Sequence, residues 1–391
     1  MSDTVKLDKE YIAHTYNRFP IELVSGKGAI LTDADGKEYI DMGSGIGVSA
    51  FGHGDAAWKA AVCEQLDKLA HASNLYYTAP CAELARMLNK KTNGFARKVF
   101  FANSGAEANE CAVKAARKYA ADKKDPDRFT IVTMKNGFHG RTLTTLAATG
   151  QEHYHELYNP LTPGFAYASA NDIDEVKEIA RKSNACAVMI ECIQGEGGVV
   201  VLEKDFVKAL RKFTEENDML LIVDEVQTGN GRTGSLYAYM QYDIVPDIVT
   251  TAKGLAGGLP LGACLLGERV ENVFGYGDHG STFGGNPVCC AAALSILSRL
   301  DENLFSEVKR KGEAVKKLLC GTDGIESVSG MGLMLGIKTV KPVSEILTYC
   351  REHGVLPLSA KDKVRLLPPL TVTDEQLTRA AEVIKAAAAL Q

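Results

Sequence analysis

The chain has 391 residues, of which 46% are hydrophobic and 24% charged, and its formal net charge is −5. This length exceeds what one simple hydrophobic core supports, so we expect two packed domains. The mildly acidic balance disfavours binding to nucleic acid or to an anionic membrane, because either partner favours a basic face.

The apolar stretches and the cysteines exclude further classes. No apolar run approaches the roughly 20 residues of a membrane-spanning helix, and the polar start MSDTVKLDKE does not read as a signal peptide. The ten cysteines form no CxxC pair and no Cys/His cluster, which indicates buried, reduced thiols and no metal site. We therefore predict a cytoplasmic protein that binds no membrane.

The predicted elements change character near residue 51. Residues 20–50 alternate short β-like runs with the turn signals SGKG and DADGK, which predicts a small meander. Beyond it, helical patterns such as AAWKAAVCEQLDKLAHA and CAELARMLNKK alternate with the apolar runs KVFFAN, FTIVTM, CAVMIE, MLLIVDEV and DIVTTA. Apolar strands between helices indicate a mostly parallel sheet that is covered on both faces.

After Asn286-Pro287 the pattern becomes helical again. The helical stretches are VCCAAALSILSRL, NLFSEVKRKGEAVKKLL and, behind a predicted N-cap at Thr373, TDEQLTRAAEVIKAAAAL; the strand-like MGLMLGIKTV lies between them. We predict an α/β fold with a large domain over residues 51–287. Residues 1–50 and 288–391 then combine into a smaller α+β domain.

Four segments at predicted strand ends are candidates for a site, since ligands of open parallel sheets bind beyond the carboxyl ends of strands. In FANSGAEANE, Ser104 and Glu107 form a capping-box pattern, and the turn into the helix offers free N–H groups to a phosphate. Asp224 and Glu225 follow five apolar residues, which places at least one carboxylate near a buried strand end. Apolar neighbours of Lys253 lower the pKa of its amine and suit it to Schiff-base chemistry.

The fourth segment, KNGFHGRTLTTLAATG, brings an aromatic residue, a histidine and Arg141 within four residues. Aromatic rings stack on planar cofactors, and an arginine can hold a carboxylate. A phosphate site, a buried carboxylate and a reactive lysine together meet the needs of pyridoxal 5′-phosphate (PLP), which has a phosphate, a pyridine nitrogen and an aldehyde.

One motif points to a different class. GNGRTG matches the GxGxxG fingerprint of dinucleotide-binding dehydrogenases. The aromatic-rich SLYAYMQY follows it in place of a helix of small residues, and no acidic residue stands at the expected distance of about 20 residues. The dehydrogenase interpretation is therefore disfavoured.

Six ordered motifs resemble the class III (ω-) aminotransferases: NSGAEANE, FHGRTLTTL, IECIQGEGG, VDEVQTGNGRTG, TTAKGLAGGLPLGA and HGSTFGGNP. The resemblance extends from GKGAILTDADGKEYIDMGSGIGV to VRLLPPL, and within the class it is greatest to acetylornithine and ornithine aminotransferases. It implies the PLP-dependent transferase fold of aspartate aminotransferase, a PLP-dependent aminotransferase activity and a homodimer with shared active sites. Cys192 departs from the pattern, since the family often has proline there.

The resemblance also assigns the cofactor-binding residues. Lys253 would form a covalent Schiff base with PLP and shuttle the proton, and Asp224 would pair with the pyridinium nitrogen. Gln227 would contact the phenolic oxygen, while Phe138 would stack on the ring. The phosphate would be held by Ser104, by the N–H groups of Gly105 and Ala106, and by Thr282 of the partner subunit.

Two arginines would serve the two amino donors. Arg141 would bind the α-carboxylate of an ornithine-type donor and the side-chain carboxylate of glutamate. Arg365 would bind the α-carboxylate of glutamate, and Glu196 would mask this arginine by a salt bridge when the other donor is present. Tyr16 and Ser281 would lie near the substrate.

Ile46 bears on the choice of donor. It occupies a position where ornithine aminotransferases typically have a tyrosine that contacts the free α-amine, so it favours an acylated α-nitrogen. The predicted reaction converts N2-acetyl-L-ornithine and 2-oxoglutarate to N-acetylglutamate 5-semialdehyde and glutamate, a step of arginine biosynthesis. Ornithine, succinylornithine and 4-aminobutyrate remain alternative donors. A PLP-dependent decarboxylase or aminomutase, or a binding protein on a degenerate PLP fold, is disfavoured by the paired arginines and the intact Lys253 and Asp224.

Overall fold

The computed structural model of the chain describes residues 3–123 and 125–389. Its α-helices are α1 (Asp3–Tyr11), α2 (Ser44–Gly47), α3 (Ala56–Lys68), α4 (Ala79–Lys91), α5 (Gly105–Asp122), α6 (Leu143–Ala148), α7 (Ile173–Lys182), α8 (Lys204–Glu216), α9 (Pro287–Arg299), α10 (Glu302–Leu319), α11 (Val343–Glu352) and α12 (Asp374–Ala389). Short 3-10 turns cover Glu152–Tyr154, Ala238–Gln241, Lys253–Leu255 and Glu268–Val270.

The β-strands, in chain order, are β1 (Leu23–Lys27), β2 (Ile30–Asp33), β3 (Glu38–Asp41), β4 (Lys98–Ala102), β5 (Thr130–Met134), β6 (Phe165–Ala168), β7 (Ala185–Ile190), β8 (Ile193–Gln194), β9 (Val200–Val201), β10 (Leu220–Asp224), β11 (Ile248–Thr251), β12 (Gly262–Leu266), β13 (Ile325–Met331), β14 (Met334–Thr339), β15 (Val355–Leu356), β16 (Leu358–Ala360) and β17 (Lys363–Leu366). Each predicted apolar run contains one of these strands.

A seven-stranded sheet of order β4-β12-β11-β10-β7-β5-β6 forms the centre of the fold. Strand β12 runs in the opposite direction to the other six and pairs antiparallel with β11 and β4, whereas the pairs β11-β10, β10-β7, β7-β5 and β5-β6 are parallel. Alternate residues of β7 and β10 belong to two separate hydrophobic clusters, one with α5 and the other with α7, α8 and α9. The predicted mostly parallel sheet, covered on both faces, is confirmed.

Strand β12 was not predicted, because its start reads as the end of a glycine-rich loop. It pairs with β4 so that Gly262 lies opposite Ala102. A Cβ added at Gly262 would lie 2.2 Å from the carbonyl oxygen of Ser104, so only glycine permits this approach. The close pairing brings the end of the Lys253 loop beside the turn that opens α5.

The two ends of the chain meet in a second sheet of order β1-β2-β3-β15. The strands β1 to β3 form the predicted N-terminal meander, and β15 adds to it in parallel, with Val355 opposite Ile40. A third, antiparallel sheet has the order β13-β14-β17-β16. The proposed domain boundaries at residues 50/51 and 287/288 stay a prediction, although this pairing is what a shared terminal domain requires.

Helix α12 begins as predicted. The Gln376 N–H donates to Thr373 Oγ1 at 3.2 Å, and the Thr373 N–H donates to Gln376 Oε1 at 3.0 Å, so each end of the capping box satisfies the other. The helix then packs against α10 and α11.

Within the described ranges we find neither a membrane span nor a metal cluster. No helix there is both long and apolar enough to cross a bilayer, and no group of three or more His, Cys, Asp or Glu side chains is placed to bind a metal ion. Seven of the ten cysteines are buried, which suits small apolar side chains in the core.

Candidate active site

A cavity of about 610 Å³ opens at the carboxyl ends of the parallel strands. Its walls come from the segments that follow β4, β5, β7, β10 and β11, where a ligand of such a sheet is expected. Nine of the predicted site residues line it: Tyr16, Ser104, Gly105, Ala106, Phe138, Arg141, Asp224, Gln227 and Lys253.

The N-terminus of α5 forms one wall of the cavity. Ser104 is the N-cap and its hydroxyl accepts the Glu107 N–H at 3.2 Å. The reciprocal half of the predicted capping box is absent, because the Glu107 carboxylate accepts from the Asn103 N–H, one residue earlier than expected. In the described part of the chain, the N–H groups of Gly105 and Ala106 find no acceptor. Two free donors at the positive end of an 18-residue helix suit a phosphate.

Asp224 lies on the floor of the cavity at the end of β10. Its Oδ2 accepts from Asn109 Nδ2 and from His139 Nδ1, both at 2.8 Å, and its Oδ1 accepts from the Val226 N–H at 2.9 Å. The side chain is buried, and these three donors fix its orientation.

His139 and Glu191 belong to the same buried network, and the sequence did not single them out. Burial acts to lower the pKa of His139, but the hydrogen bond and charge of Asp224 outweigh it, so the pKa lies above its usual value. Burial raises the pKa of Glu191 to about 7. Glu191 Oε1 accepts the Phe138 N–H at 2.9 Å, which ties the aromatic residue to the end of β7.

Lys253 follows β11 in a strained turn. Its φ is 47°, a left-handed conformation that costs on the order of 1–3 kcal/mol for a residue other than glycine. Asn230 Nδ2 supports the turn by donating to Thr251 Oγ1 and to the Ala252 carbonyl, both at 3.0 Å. The strained backbone thus belongs to the residue whose side chain is the candidate reactive group, as is common in active sites.

The Lys253 amine has a lowered pKa. Burial is the main cause, and the positive charge of Arg365 acts in the same direction. The carboxylates of Glu196 and Asp224 oppose the shift without reversing it. A larger fraction of the amine is therefore neutral and nucleophilic than in a solvated lysine.

Behind Gln227 lies an ion pair between the buried Arg365 and the half-buried Glu196. Arg365 donates from NH1 to Glu196 Oε1 at 2.6 Å and from NH2 to Oε2 at 3.2 Å, and NH1 also reaches Gln227 Oε1 at 3.0 Å. Burial alone would raise the pKa of Glu196. The charge and hydrogen bonds of Arg365 have the larger, opposite effect, so the pKa lies below its usual value and the carboxylate is ionised. A Cβ added at Gly195 would lie 2.1 Å from Gln227 Oε1, so glycine allows the amide to reach the pair.

Arg141 is exposed at the mouth of the cavity and differs from Arg365 in its partners. Its guanidinium carbon lies 4.2 Å from the ring centroid of Tyr154 and 5.6 Å from that of Phe138. Tyr16 is 73% exposed at the same mouth. The mouth therefore combines a cation with three aromatic side chains.

Ser281 and Thr282 lie outside this cavity. Thr282 is exposed, while Ser281 Oγ accepts from Asn103 Nδ2 at 3.2 Å and from the Gly284 N–H at 3.0 Å. Asn74 holds the carbonyl groups of Ser281 and Gly284, each at 2.9 Å. The loop is thus anchored beside the α5 turn, with Thr282 available to another molecule.

Ile46 lies in a turn of unusual backbone conformation near the cavity. The four residues of α2, Ser44–Gly47, all have positive φ, so this short element is a left-handed turn and not a right-handed helix; the φ of Ile46 is 64°. Asp41 Oδ1 holds the turn by accepting the N–H groups of Gly43 and Ser44, at 2.9 and 2.7 Å. A β-branched residue in this region is a marked outlier, and Ile46 is 43% exposed.

The GNGRTG motif has a structural role. Arg232 is buried and donates to the carbonyl groups of Leu333 and Pro368, which joins the motif to the segments around β14 and β17. A 3-10 turn follows and no helix begins at the motif, so the geometry of a dinucleotide fingerprint is absent.

Glu225, next to Asp224, carries a stability prediction. Burial raises its pKa to about 7, although Thr228 Oγ1 and the Tyr239 N–H donate to it. When the pKa of a carboxyl group is higher in the folded than in the unfolded protein, the group favours folding most at a pH below its ordinary pKa. That contribution to the free energy of unfolding is lost as pH rises to about 7. Glu225→Gln should therefore match the wild type near pH 4.5 and exceed its unfolding free energy by up to about 3 kcal/mol near pH 8.

Urea unfolding at both pH values checks this prediction. Glu178→Gln is the matched control, because that side chain is exposed and pairs only with Lys182 in the described ranges. If Glu178→Gln raised the unfolding free energy at pH 8 as much as Glu225→Gln does, the burial explanation would be contradicted.

Known proteins share this architecture over the whole chain. The profile of the aminotransferase class-III family matches residues 11–388. The acetylornithine aminotransferase of Haemophilus ducreyi is 49% identical over 386 residues, covering 98% of each chain. The crystal structure of N-acetylornithine aminotransferase from Stenotrophomonas maltophilia is 36% identical, with a TM-score of 0.85 and 98% of both chains covered. An amine transaminase from an uncultivated Pseudomonas species, in its PLP-bound form, is 29% identical, with a TM-score of 0.90 and coverage of 97% and 96%.

Proposed function

This chain belongs to the class III aminotransferases, and on that premise we propose that it transfers the δ-amino group of N2-acetyl-L-ornithine to 2-oxoglutarate. The products are N-acetylglutamate 5-semialdehyde and glutamate. The observation that carries the proposal is the contrast between two arginines. Arg365, whose charge acts on Lys253, is masked by Glu196, whereas Arg141, which lines the same cavity as Lys253, is open. Relatives named acetylornithine aminotransferase, at 41–49% identity over nearly the full length, support the choice of donor.

The cavity fits PLP, the cofactor of this family. The free N–H groups of Gly105 and Ala106, with the Ser104 hydroxyl, suit its phosphate, and Asp224 suits its ring nitrogen. Phe138 lies at the wall where it can stack on a flat ring, and Gln227 offers an amide to the phenolic oxygen. When bound, PLP supplies an electron-withdrawing ring next to the carbon that carries the amino group.

Lys253 and Asp224 perform the chemistry that the chain itself supplies. The Lys253 amine would hold the cofactor covalently, and the free amine would serve as the base that moves the proton at the reacting carbon. Its lowered pKa leaves the amine able to accept that proton. Asp224, which Asn109 and His139 hold in place, would favour a proton on the ring nitrogen of the bound cofactor.

The arginines allow one cavity to accept two donors of different shape. With N2-acetylornithine, Arg141 binds the α-carboxylate and Glu196 keeps Arg365 neutralised. With glutamate, Arg365 binds the α-carboxylate after Glu196 moves aside, and Arg141 binds the side-chain carboxylate. An unpaired buried arginine is costly, so Glu196 serves as a partner that the substrate can replace.

Two further features of the proposal concern assembly and location. Thr282 is exposed outside its own cavity, which fits a homodimer in which Thr282 of the partner subunit completes the phosphate site. The cytoplasmic location predicted from the sequence is part of the same proposal. Crosslinking or sedimentation of the protein, and loss of PLP affinity in Thr282→Ala, test the shared site.

A panel of amino donors tests the function. We expect the highest kcat/KM for N2-acetylornithine among four donors: N2-acetylornithine, ornithine, succinylornithine and 4-aminobutyrate, each measured in its half-reaction with the PLP-loaded enzyme. Ile46, which replaces a polar partner for a free α-amine, is the structural reason for ranking ornithine lower. A higher value for any other donor would assign the enzyme to that substrate instead.

Glu196→Ala tests the masking role directly. Without the carboxylate, Arg365 stays free for glutamate, so the ratio of glutamate to N2-acetylornithine half-reaction rates should rise about 10- to 100-fold, the value of one or two charge-assisted hydrogen bonds. Glu203→Ala, an exposed glutamate seven residues further on, is the control. Equal changes in both half-reactions would show that Glu196 does not discriminate between donors.

A further inference from the structure

The guanidinium of Arg141 has aromatic partners but no carboxylate partner. None of the described residues accepts a hydrogen bond from it or forms an ion pair with it, yet two aromatic rings flank it at 4.2 Å (Tyr154) and 5.6 Å (Phe138). Arginine presents its N–H donors in a planar fork. The whole fork is therefore available to a carboxylate that enters the cavity.

Tyr154 is well placed to orient this arginine. It ends the 3-10 turn Glu152–Tyr154 and is half-buried. Its ring meets Phe138 edge-on, with centroids 6.0 Å apart and planes at 68°, and the His153 ring lies 3.9 Å away on centroids. These contacts fix the Tyr154 ring, so the ring in turn restricts the arginine.

A ring face differs from a carboxylate as a partner for arginine. It attracts the cation through its quadrupole and leaves the N–H groups unused. Arg365 shows the alternative, since Glu196 and Gln227 occupy its donors and must be displaced before a substrate binds. A stacked arginine loses less conformational freedom when the ligand arrives and displaces no internal partner.

We propose that Tyr154 is a positioning residue for substrate carboxylates, acting by stacking on Arg141. The inference rests on the proposed function, because it assigns Arg141 to a substrate carboxylate. It adds that the aromatic ring at position 154, and not its hydroxyl group, determines how tightly that carboxylate binds.

Glutarate, a dicarboxylate that cannot donate an amino group, is the binding probe. Calorimetric titration of the PLP-loaded enzyme should give a Kd about 3- to 10-fold higher for Tyr154→Leu than for wild type, since a cation–π contact of this kind is worth that factor. The Kd of Tyr154→Phe, which keeps the ring, should lie within about 2-fold of the wild-type value. Tyr158→Leu removes an exposed tyrosine four residues further on and should leave Kd unchanged.

A double-mutant cycle with Arg141→Ala separates the possible results. If Tyr154 acts through Arg141, Tyr154→Leu has no further effect on glutarate binding in the Arg141→Ala background. If Arg141→Ala alone binds glutarate as tightly as wild type does, Arg141 does not bind the carboxylate, and the inference that Tyr154 acts through Arg141 fails with it. If Arg141→Ala weakens binding but Tyr154→Leu does not, only the Tyr154 inference is overturned.

Steady-state kinetics give a second readout. Tyr154→Leu should raise KM for glutamate more than it lowers kcat, and should affect alanine, which has no side-chain carboxylate, much less. Tyr154→Gln replaces Tyr154→Leu if the leucine variant does not fold. An equal loss with glutamate and alanine, or a Tyr154→Phe defect as large as that of Tyr154→Leu, would overturn the proposal.

Discussion

Lys253→Ala is expected to lose transamination by at least about 10³-fold, with any donor that the enzyme accepts. Two functions disappear together: the covalent link to the cofactor and the base that moves the proton at the reacting carbon, and general acid–base catalysis alone contributes about 10²- to 10⁴-fold. The phosphate wall and Asp224 are unchanged by the substitution, so PLP should still bind. Turnover assays and the absorption spectrum of the loaded variant measure the two effects separately.

Borohydride treatment followed by peptide mass analysis shows whether Lys253 carries the cofactor. Wild type should be labelled on the peptide that contains Lys253, and the variant should not be labelled. Lys212→Ala is the control, since that lysine is exposed on α8. Normal transamination by Lys253→Ala would refute the assignment of this residue.

The substitution also tests the origin of the backbone strain. Lys253 holds a φ of 47°, and Asn230 stabilises the turn before it. Alanine is no better suited to this conformation than lysine. The backbone therefore gives no reason for stability to fall, and a large loss of stability would indicate a structural role for the lysine side chain.

Much of the fold was predictable because the strands are apolar along their whole length. Short apolar runs such as MLLIVDEV are typical of strands buried on both faces of a sheet, and the helical patterns between them favour parallel connections. Strand β12 is not predicted by the sequence, because Gly262 and Ala263 have little β propensity; in the structure it pairs with β4 on one side and β11 on the other. Tertiary pairing, not local propensity, decides that segment.

The residues that the sequence singled out by chemical type line one cavity: a lysine at a strand end, an acid after five apolar residues and a glycine-containing turn into a helix. Each of these features is weak alone, and only their combination indicates chemistry. His139 and Glu191 could not be identified in this way, since their roles depend on contacts between β5, β7 and β10. Tyr154 was missed for the same reason: only the folded chain places its ring on Arg141.

Asp224→Asn is expected to have the second largest effect, a fall in kcat of about 10²- to 10³-fold, comparable to removing one electrostatic group from an active site. The amide keeps the shape of the side chain but cannot carry the charge that holds a proton on the ring nitrogen. In either orientation the amide nitrogen also faces a donor: Asn109 Nδ2 and His139 Nδ1 at the Oδ2 position, or the Val226 N–H at the Oδ1 position. PLP should bind more weakly for both reasons.

The pH dependence of Asp224→Asn identifies the cause. Without an anion beside it, the ring nitrogen loses its proton more readily, so the activity of the variant relative to wild type should fall as pH rises. Asp247→Asn is the matched control: this carboxylate is also buried beside the central sheet, but it pairs with Arg211 and Arg269. The control should lower stability and leave the pH profile as in wild type. A constant ratio of Asp224→Asn to wild type across pH would mean that the carboxylate only shapes the cavity, and that protonation of the ring is maintained by another group.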